Sequence, residues 1–431
     1  MSVTSLPTAP PAASQRRAIA VLFAAAGLMN AAIAAASPVS TLIAAERWGA
    51  ALAAAPNTAA IIGTGAGAVA LSRARERWGW RAGLVAGYAA AAAGGALTMA
   101  AAIGGHAVVL CAGMLLIGLG NAGALLSRYA AAEHQPAGRR GFAIGVVVWA
   151  GALGAVGGPL LLAPAGEVGA RLGWVAFAGP FLLAAVAGML AAVATLALPR
   201  RHGHAGLPRE GGKAAATPAR QRDGGNVAAT PARLRDDRGA QVRGGRVRTL
   251  VRTPAARWAF AVMAAAQVVM GAVMTAAPLG IHEHHDGLGV VGAALSAHAL
   301  GMFALSPLTG WLIDRVGARP VMLAGLVTML VATVQLAIAP HDEALRVAAL
   351  FQLGYGWNLC FVGGSGSLAT GLPEADRAGV EGAVDGAVWG LAAVAALAST
   401  AAYATGGYPL IAAASTTLLA LVAVRHPRAA T

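Results

Sequence analysis

An all-α membrane protein of twelve transmembrane helices, arranged as two six-helix halves, is the fold class the sequence predicts. Three observations carry this prediction: an apolar composition, long apolar stretches separated by short basic loops, and an internal echo between the halves. The chain has 431 residues, 58% hydrophobic and only 11% charged, with a mean hydropathy of +0.66. A soluble domain carries roughly 25% charged residues, so an ordinary water-soluble fold is excluded. Abundant Ala and 58 Gly suit helix packing in lipid, where small residues let backbones approach closely.

A helical crossing needs about 20 apolar residues. Read by that rule, the first half has spans near 18–44, 50–72, 82–103, 106–127, 142–164 and 173–198, and the second near 257–279, 289–312, 320–339, 346–369, 379–404 and 406–424. The expected division is a tail at 1–17, a six-helix half at 18–198, a linker at 199–256, a second half at 257–424 and a tail at 425–431. The linker is rich in Arg, Gly, Pro and Ala and poor in large apolar side chains. It cannot bury enough surface to offset its ordering entropy and is expected to be disordered; contact with anionic headgroups is the alternative.

Charge supplies the orientation. With the N-terminus placed in the cytoplasm, the cytoplasmic segments hold 28 of the 31 Lys and Arg, leaving out Arg47, Arg171 and Arg346. That asymmetry follows the positive-inside rule, so both termini are expected in the cytoplasm. The formal net charge of +14 therefore reads as membrane orientation, and no nucleic-acid partner is expected. The N-terminal tail shows no clear cleavage site, so the first span is expected to stay attached. Cys111 and Cys360 fall in apolar runs and read as small buried residues, with no disulfide framework.

The halves echo each other. Gly118-Leu-Gly120-Asn121 in span four is matched by Gly354-Tyr-Gly356-Trp-Asn358 in span ten. Each is followed by a basic loop and a Trp in the next span, Arg140 and Trp149 in one half and Arg377 and Trp389 in the other. Repeated halves place a substrate site between them, near the bilayer midplane. After span eight comes Gly310-Trp-Leu-Ile-Asp314-Arg315-Val-Gly317-Ala-Arg319, and after span two a degenerate copy, Glu76-Arg77-Trp-Gly79-Trp-Arg81. These loops resemble the signature of the major facilitator superfamily, which implies its fold and a conformational gating role for Asp314, Arg315, Gly317, Arg319, Glu76 and Arg77. Physically, an acid at a helix end can pair with Arg and cap a neighbouring helix N-terminus. Gly154-x-x-x-Gly158-Pro159 in span five resembles the Gly-Pro motif of proton-coupled drug exporters in that superfamily; close helix packing is the alternative.

Met270-x-x-x-Met274 in span seven and His298-x-x-x-Met302 in span eight carry the chemistry. Residues four apart share a helix face, and thioether sulfur with imidazole nitrogen favours a soft cation, above all Cu(I). Met in membrane helices is usually filler, but an ionisable side chain inside a span is expensive and marks a functional cavity. At 1.5 Å rise per residue the two pairs lie at similar depth. Met263 lies roughly on the same face as Met270 and is a candidate later station. The loop cluster His282, His284 and His285, with Glu283 and Asp286, is either an entrance that gathers copper or a hydrated loop.

The two pairs in consecutive spans, together with Met274-Thr-Ala-Ala-Pro278, Trp357-Asn358-Leu-Cys360-Phe361 and Arg128-Tyr129-Ala-Ala-Ala, resemble the CcoA-like (CalT) copper transporter family. The resemblance implies a bacterial cytoplasmic-membrane copper importer serving cytochrome oxidase assembly, with Met270, Met274, His298 and Met302 as the copper residues. A related branch transports riboflavin and lacks these pairs.

Other polar groups lie within the spans. Asp385 is expected to carry protons or pair with Arg, or else to make a structural link to the Asp314–Arg319 loop. Arg128 is expected to snorkel to the interface, with an anion contact as the alternative. Asn30 and Asn358 are expected to face the cavity, or else to bond between helices. There is no phosphate loop of the Gly-x-x-x-x-Gly-Lys type and no catalytic constellation. The chain thus reads as no enzyme, needs no cofactor, has copper and the lipid bilayer as partners, and is a monomer by default. The rival readings are an organic-solute carrier, either a drug exporter or a vitamin importer, and a copper sensor without flux.

Overall fold

The computed structural model describes residues 12–49, 52, 55–174, 178–199, 249–250, 252–283, 297–338 and 342–425. Most of the linker, His284 and His285 lie outside these residues, as do the first and last few residues of the chain. Among the described residues every regular element is helical. The first half contains α1 (Ala12–Trp48), α2 (Ala55–Gly104), α3 (Ala107–Glu133), α4 (Arg140–Leu160), α5 (Leu162–Arg171) and α6 (Ala178–Thr195). The second contains α7 (Pro254–Glu283), a helical segment at 297–303, α8 (Ser306–Val316), α9 (Ala318–Ile338), α10 (Glu343–Gly371) and α11 (Glu374–Val424).

Two of these helices are too long for one crossing. At 1.5 Å per residue, 50-residue α2 and 51-residue α11 would each run about 75 Å, against a hydrocarbon core of roughly 30 Å. Each reverses at a glycine and supplies two crossings: α2 at Gly79 (φ 80°, ψ 172°) and α11 at Gly407 (φ 61°, ψ −163°). Side chains other than hydrogen are excluded from that conformation. With α4 and α5 as span five, and 297–303 with α8 as span eight, the described residues make twelve crossings in two six-helix halves.

The basic loops around Arg75, Arg139, Arg315 and Arg377 gather at one end of the bundle, called the basic end below. Gly79 and Gly317 occupy matching places in the loops after spans two and eight. Gly317 has φ 87° and ψ 162°, almost the conformation of Gly79. The first loop has therefore kept the signature's backbone along with an acid and two arginines at matching places (Glu76, Arg77, Arg81), and it departs at Ser72, which stands where the second loop has Gly310.

Each half has its own apolar core. The second-half core continues into Ala68, Leu71, Leu126, Tyr129 and Ile144 of the first half, so the halves are packed together there. Asp314 adds a polar contact: Oδ1 accepts from Gly141 N at 2.9 Å and Oδ2 from Phe142 N at 2.8 Å. The second-half signature acid thereby caps the first turn of α4, where orphan N–H groups need acceptors.

Span eight departs from the expected continuous helix. It breaks at 304–305 and restarts at Ser306, with Pro307 in the new first turn. Proline has no N–H to continue the ladder. Asn358 of α10 satisfies the exposed groups, its Nδ2 donating to Met302 O at 2.6 Å and to Ser306 Oγ at 2.7 Å, while Thr309 Oγ1 donates to Asn358 Oδ1 at 2.7 Å. The glycine of the span-ten echo has a packing role here. A Cβ on Gly354 would strike the carbonyl of His298, and one on Gly301 that of Phe351, so α10 lies directly against the helix carrying His298 and Met302.

Candidate functional site

Between the halves lies a cavity of about 350 Å³ that extends from Arg128 to Asn57, near the end of α2 away from the basic end. Its two walls differ. The first half presents the amides and hydroxyl of Asn30 of α1, Asn57 and Thr64 of α2, and Asn121 of α3, set among aliphatic side chains such as Ile33, Ile61, Leu125 and Val148. Asn30 Nδ2 donates to Ala26 O at 2.8 Å, and Asn121 Nδ2 to Thr64 Oγ1 at 3.4 Å. The second half presents Met270, Met302, Phe303, Trp357, Phe361 and Trp389. Trp357 stacks on Phe361 at 4.6 Å and 14°, and meets Phe303 edge-on at 6.3 Å and 76°. Its Nε1 donates to Gln267 Oε1 at 2.8 Å, which fixes the indole in the wall. Gln267 was not singled out from the sequence, although it lies three residues before Met270, on nearly the same helix face.

The expected metal residues are distributed unevenly. Met270 and Met302 both line the cavity, so two thioethers from different helices reach one space. Met274 is half-buried and packs against the second-half core. His298, at 4% exposure, sits behind Met302, with Nδ1 3.0 Å from Leu350 O. A carbonyl only accepts, so Nδ1 carries the proton and Nε2 keeps its lone pair. That nitrogen is buried without a hydrogen-bond partner among the described residues. Met263 is buried against Gly364 and does not line the cavity. His282 lies in the last turn of α7. Among the described residues no three His, Cys, Asp or Glu side chains gather as a metal site, so a metal would rest on thioethers and imidazole.

Comparison with known proteins bears on the whole chain. Residues 18–289 and 259–429 match the sequence model described as Major Facilitator Superfamily. The chain belongs to the Major Facilitator Superfamily. It is 31% identical over 369 residues to the uncharacterized MFS-type transporter YdeG of Bacillus subtilis, covering 85% of this chain and 80% of that one. It is 29% identical over 162 residues to the riboflavin transporter RfnT of Brucella anthropi, covering 38% and 40%. The solved structure of the proton:xylose symporter XylE superposes with a TM-score of 0.72 at 14% identity, covering 94% of each chain, a likeness of fold alone.

Within this Major Facilitator chain Arg128 departs from expectation, while Asp385 and Asn358 each follow one of the alternatives the sequence left open. Arg128 does not snorkel: it is 1% exposed, because an acid of the other half meets it inside the bundle. Its Nη2 donates to Asp385 Oδ1 at 2.6 Å and to Tyr129 Oη at 3.0 Å, and its Nε to Ser365 Oγ at 2.8 Å. The guanidinium also lies 4.3 Å from the Tyr129 ring centroid and 4.2 Å from that of Phe361. Asp385 accordingly pairs with Arg128 and not with the Asp314–Arg319 loop. Asn358 faces the break in span eight instead of the cavity, at 0% exposure, since its amide is consumed by Met302, Ser306 and Thr309. Asn30 lines the cavity as expected. Gly154 and Gly158 pack against Asn30, Ala31 and Ala34 of α1, in accord with close helix packing.

Sequence reasoning missed one interaction at the basic end. Arg75 bridges Glu133 of its own half and Glu381 of the other, the latter at 2.7 Å, and lies 3.9 Å over the Trp80 ring. The sequence signal was available, since Glu381 and Asp385 are four apart and share a face of α11. Their partners, Arg75 and Arg128, are distant in sequence and could not be paired with them from spacing.

Proposed function

We propose that this transporter carries copper, as Cu(I), into the bacterial cytoplasm by alternating access, with its basic end facing the cytoplasm. One observation carries the reading: Met270 and Met302 share the cavity wall, and His298, one turn before Met302, holds an unpartnered Nε2 lone pair. Soft sulfur and neutral imidazole suit Cu(I). The break at 304–305 directly follows Met302, and discontinuous helices commonly form the substrate sites of such carriers. Movement at that break would bring His298 forward to join the two sulfurs, with Met274 as a fourth ligand from the outer part of α7. By the family resemblance, the copper would serve cytochrome oxidase assembly. The basic loops support the orientation.

A second reading is favoured by the aromatic wall. A 350 Å³ cavity with Trp357 stacked on Phe361 and amides opposite also suits a planar organic solute, and the relative RfnT is a riboflavin transporter. Uptake of copper and of riboflavin by cells expressing the wild type, Met270→Ala/Met274→Ala and His298→Ala/Met302→Ala, at matched protein levels, separates the two. The copper reading expects copper accumulation by the wild type alone. Riboflavin uptake that survives both double substitutions, without copper accumulation, would establish the organic-solute reading instead.

A further inference from the structure

Down one face of α11, Glu381 and Asp385 each meet an arginine of the opposite half, Arg75 and Arg128 respectively. We infer that the inner rung, Asp385, is a proton-binding site that couples the cavity to opening of the basic end. Three features of the geometry support this, and none depends on which cargo the carrier takes.

The first is position. Arg128 lines the cavity floor, and Trp389, one turn beyond Asp385, lines the same cavity, so a proton in the cavity is one side chain from the carboxylate. The second is satisfaction. Asp385 is 1% exposed; Oδ1 meets Arg128, while Oδ2 is buried without a hydrogen-bond partner among the described residues. The third is what separation of the halves would leave behind. Arg128 keeps partners of its own half, Leu125 O and Tyr129 Oη. Asp385 has Arg128 as its described partner and would be stranded as a buried carboxylate, a heavy penalty in a membrane protein. A proton added to Oδ2 removes that charge, and Arg128 stays cationic within its own half. Loss of the proton towards the basic end restores the pair and recloses it.

The ionisable groups facing Asp385 are few. α3 presents Arg128 and Tyr129. One turn towards the basic end is Glu381, held by Arg75 of α2, which Glu133 of α3 shares, with Arg377 nearby. α7 has no ionisable residue between Arg257 and His282, and α9 none after Arg319. α10 contributes Ser365 and Phe361, and its buried thiol Cys360 bonds towards Met322 of α9. Glu381 lies nearer the basic end and would meet water as that end opens, so it needs no proton to leave Arg75.

The test is a distance across the basic end in the full chain, purified into lipid nanodiscs. Spin labels are placed at Trp78→Cys and Ala375→Cys, both exposed, with Cys111 and Cys360 replaced by Ala. Acidification from mildly alkaline buffer should raise the ratio of long to short distances by roughly tenfold or more. Asp385→Asn should hold the long distance at every pH, and Glu381→Gln should keep the response. The inference is overturned if the distance ignores pH, if Asp385→Asn still responds like the parent, or if added sodium at constant pH produces the shift. Should Asp385→Asn not be recovered folded, infrared difference spectra decide. A carboxyl C=O band that appears on acidification must move in Asp385→Glu; an unmoved band overturns the assignment.

Discussion

The loops after spans two and eight turn on nearly the same glycine backbone, at Gly79 and Gly317, yet the two sides of the basic end are fastened differently. Asp314 of the second half caps α4 with both carboxylate oxygens. On the other side, Arg75 of the first half reaches across to Glu381. The cavity repeats the lesson: the first-half wall sets amides, a hydroxyl and Arg128 among aliphatic side chains, and the second-half wall is thioether and aromatic. A repeated fold constrains the backbone, which must still reverse and pack. Side chains are free to diverge once each half has a separate task. In this transporter the second half lines the cavity with thioethers and aromatic rings, and the first half offers hydrogen bonds and the cross-half arginines.

The largest effects should come from breaking the inner cross-half pair. Arg128→Ala leaves Asp385 buried and uncompensated, and removal of one partner from such a pair destabilises by about 3–5 kcal/mol. The thermal midpoint in detergent should fall sharply, and Arg128→Ala/Asp385→Ala should recover much of the loss. A double variant as unstable as the single would show that the pair is not the source. Next in size is the contrast between walls. His298→Ala/Met302→Ala should reduce copper uptake to background, whereas Asn30→Ala and Asn121→Ala should lower it only a few-fold. Equal losses from the two walls would end the division of labour.

Smaller effects probe the shared backbone. Gly79→Ala and Gly317→Ala place a Cβ in a region essentially reserved for glycine and should each cost about 1–3 kcal/mol. Closely similar shifts in thermal midpoint are expected, because the two backbones agree. A large shift at Gly317 alone would mean that the first loop tolerates another conformation. Smallest is Asp314→Ala, which removes a helix cap worth about 0.5–2 kcal/mol and should loosen the basic end without affecting Cu(I) binding by the cavity.

The architecture was largely legible because it follows from apolar run length and loop charge, both local properties of the chain. The fusion of two crossings in α2 and in α11 was not, since a helix boundary at one glycine depends on backbone angles that hydropathy does not report. Pro307 signalled the break in span eight, but a continuous apolar run masked it. Met270 and Met302 were legible by their spacing. The bond from Trp357 to Gln267 was not, because it joins α7 to α10 across 90 residues. Arg128 was misjudged as an interface residue for the same reason. Its partner lies 257 positions away, and only the packing of the two halves brings them together.

The central claim is that the soft wall of the cavity holds the cargo, and the environment of bound copper tests it most directly. X-ray absorption at the copper edge, on purified protein loaded with Cu(I), should show sulfur scatterers together with a nitrogen. Met270→Ala/Met302→Ala should lose the sulfur signal, and Asn30→Ala/Asn121→Ala should retain it. A spectrum built from nitrogen and oxygen alone, or one unchanged by removal of the two methionines, would contradict the account.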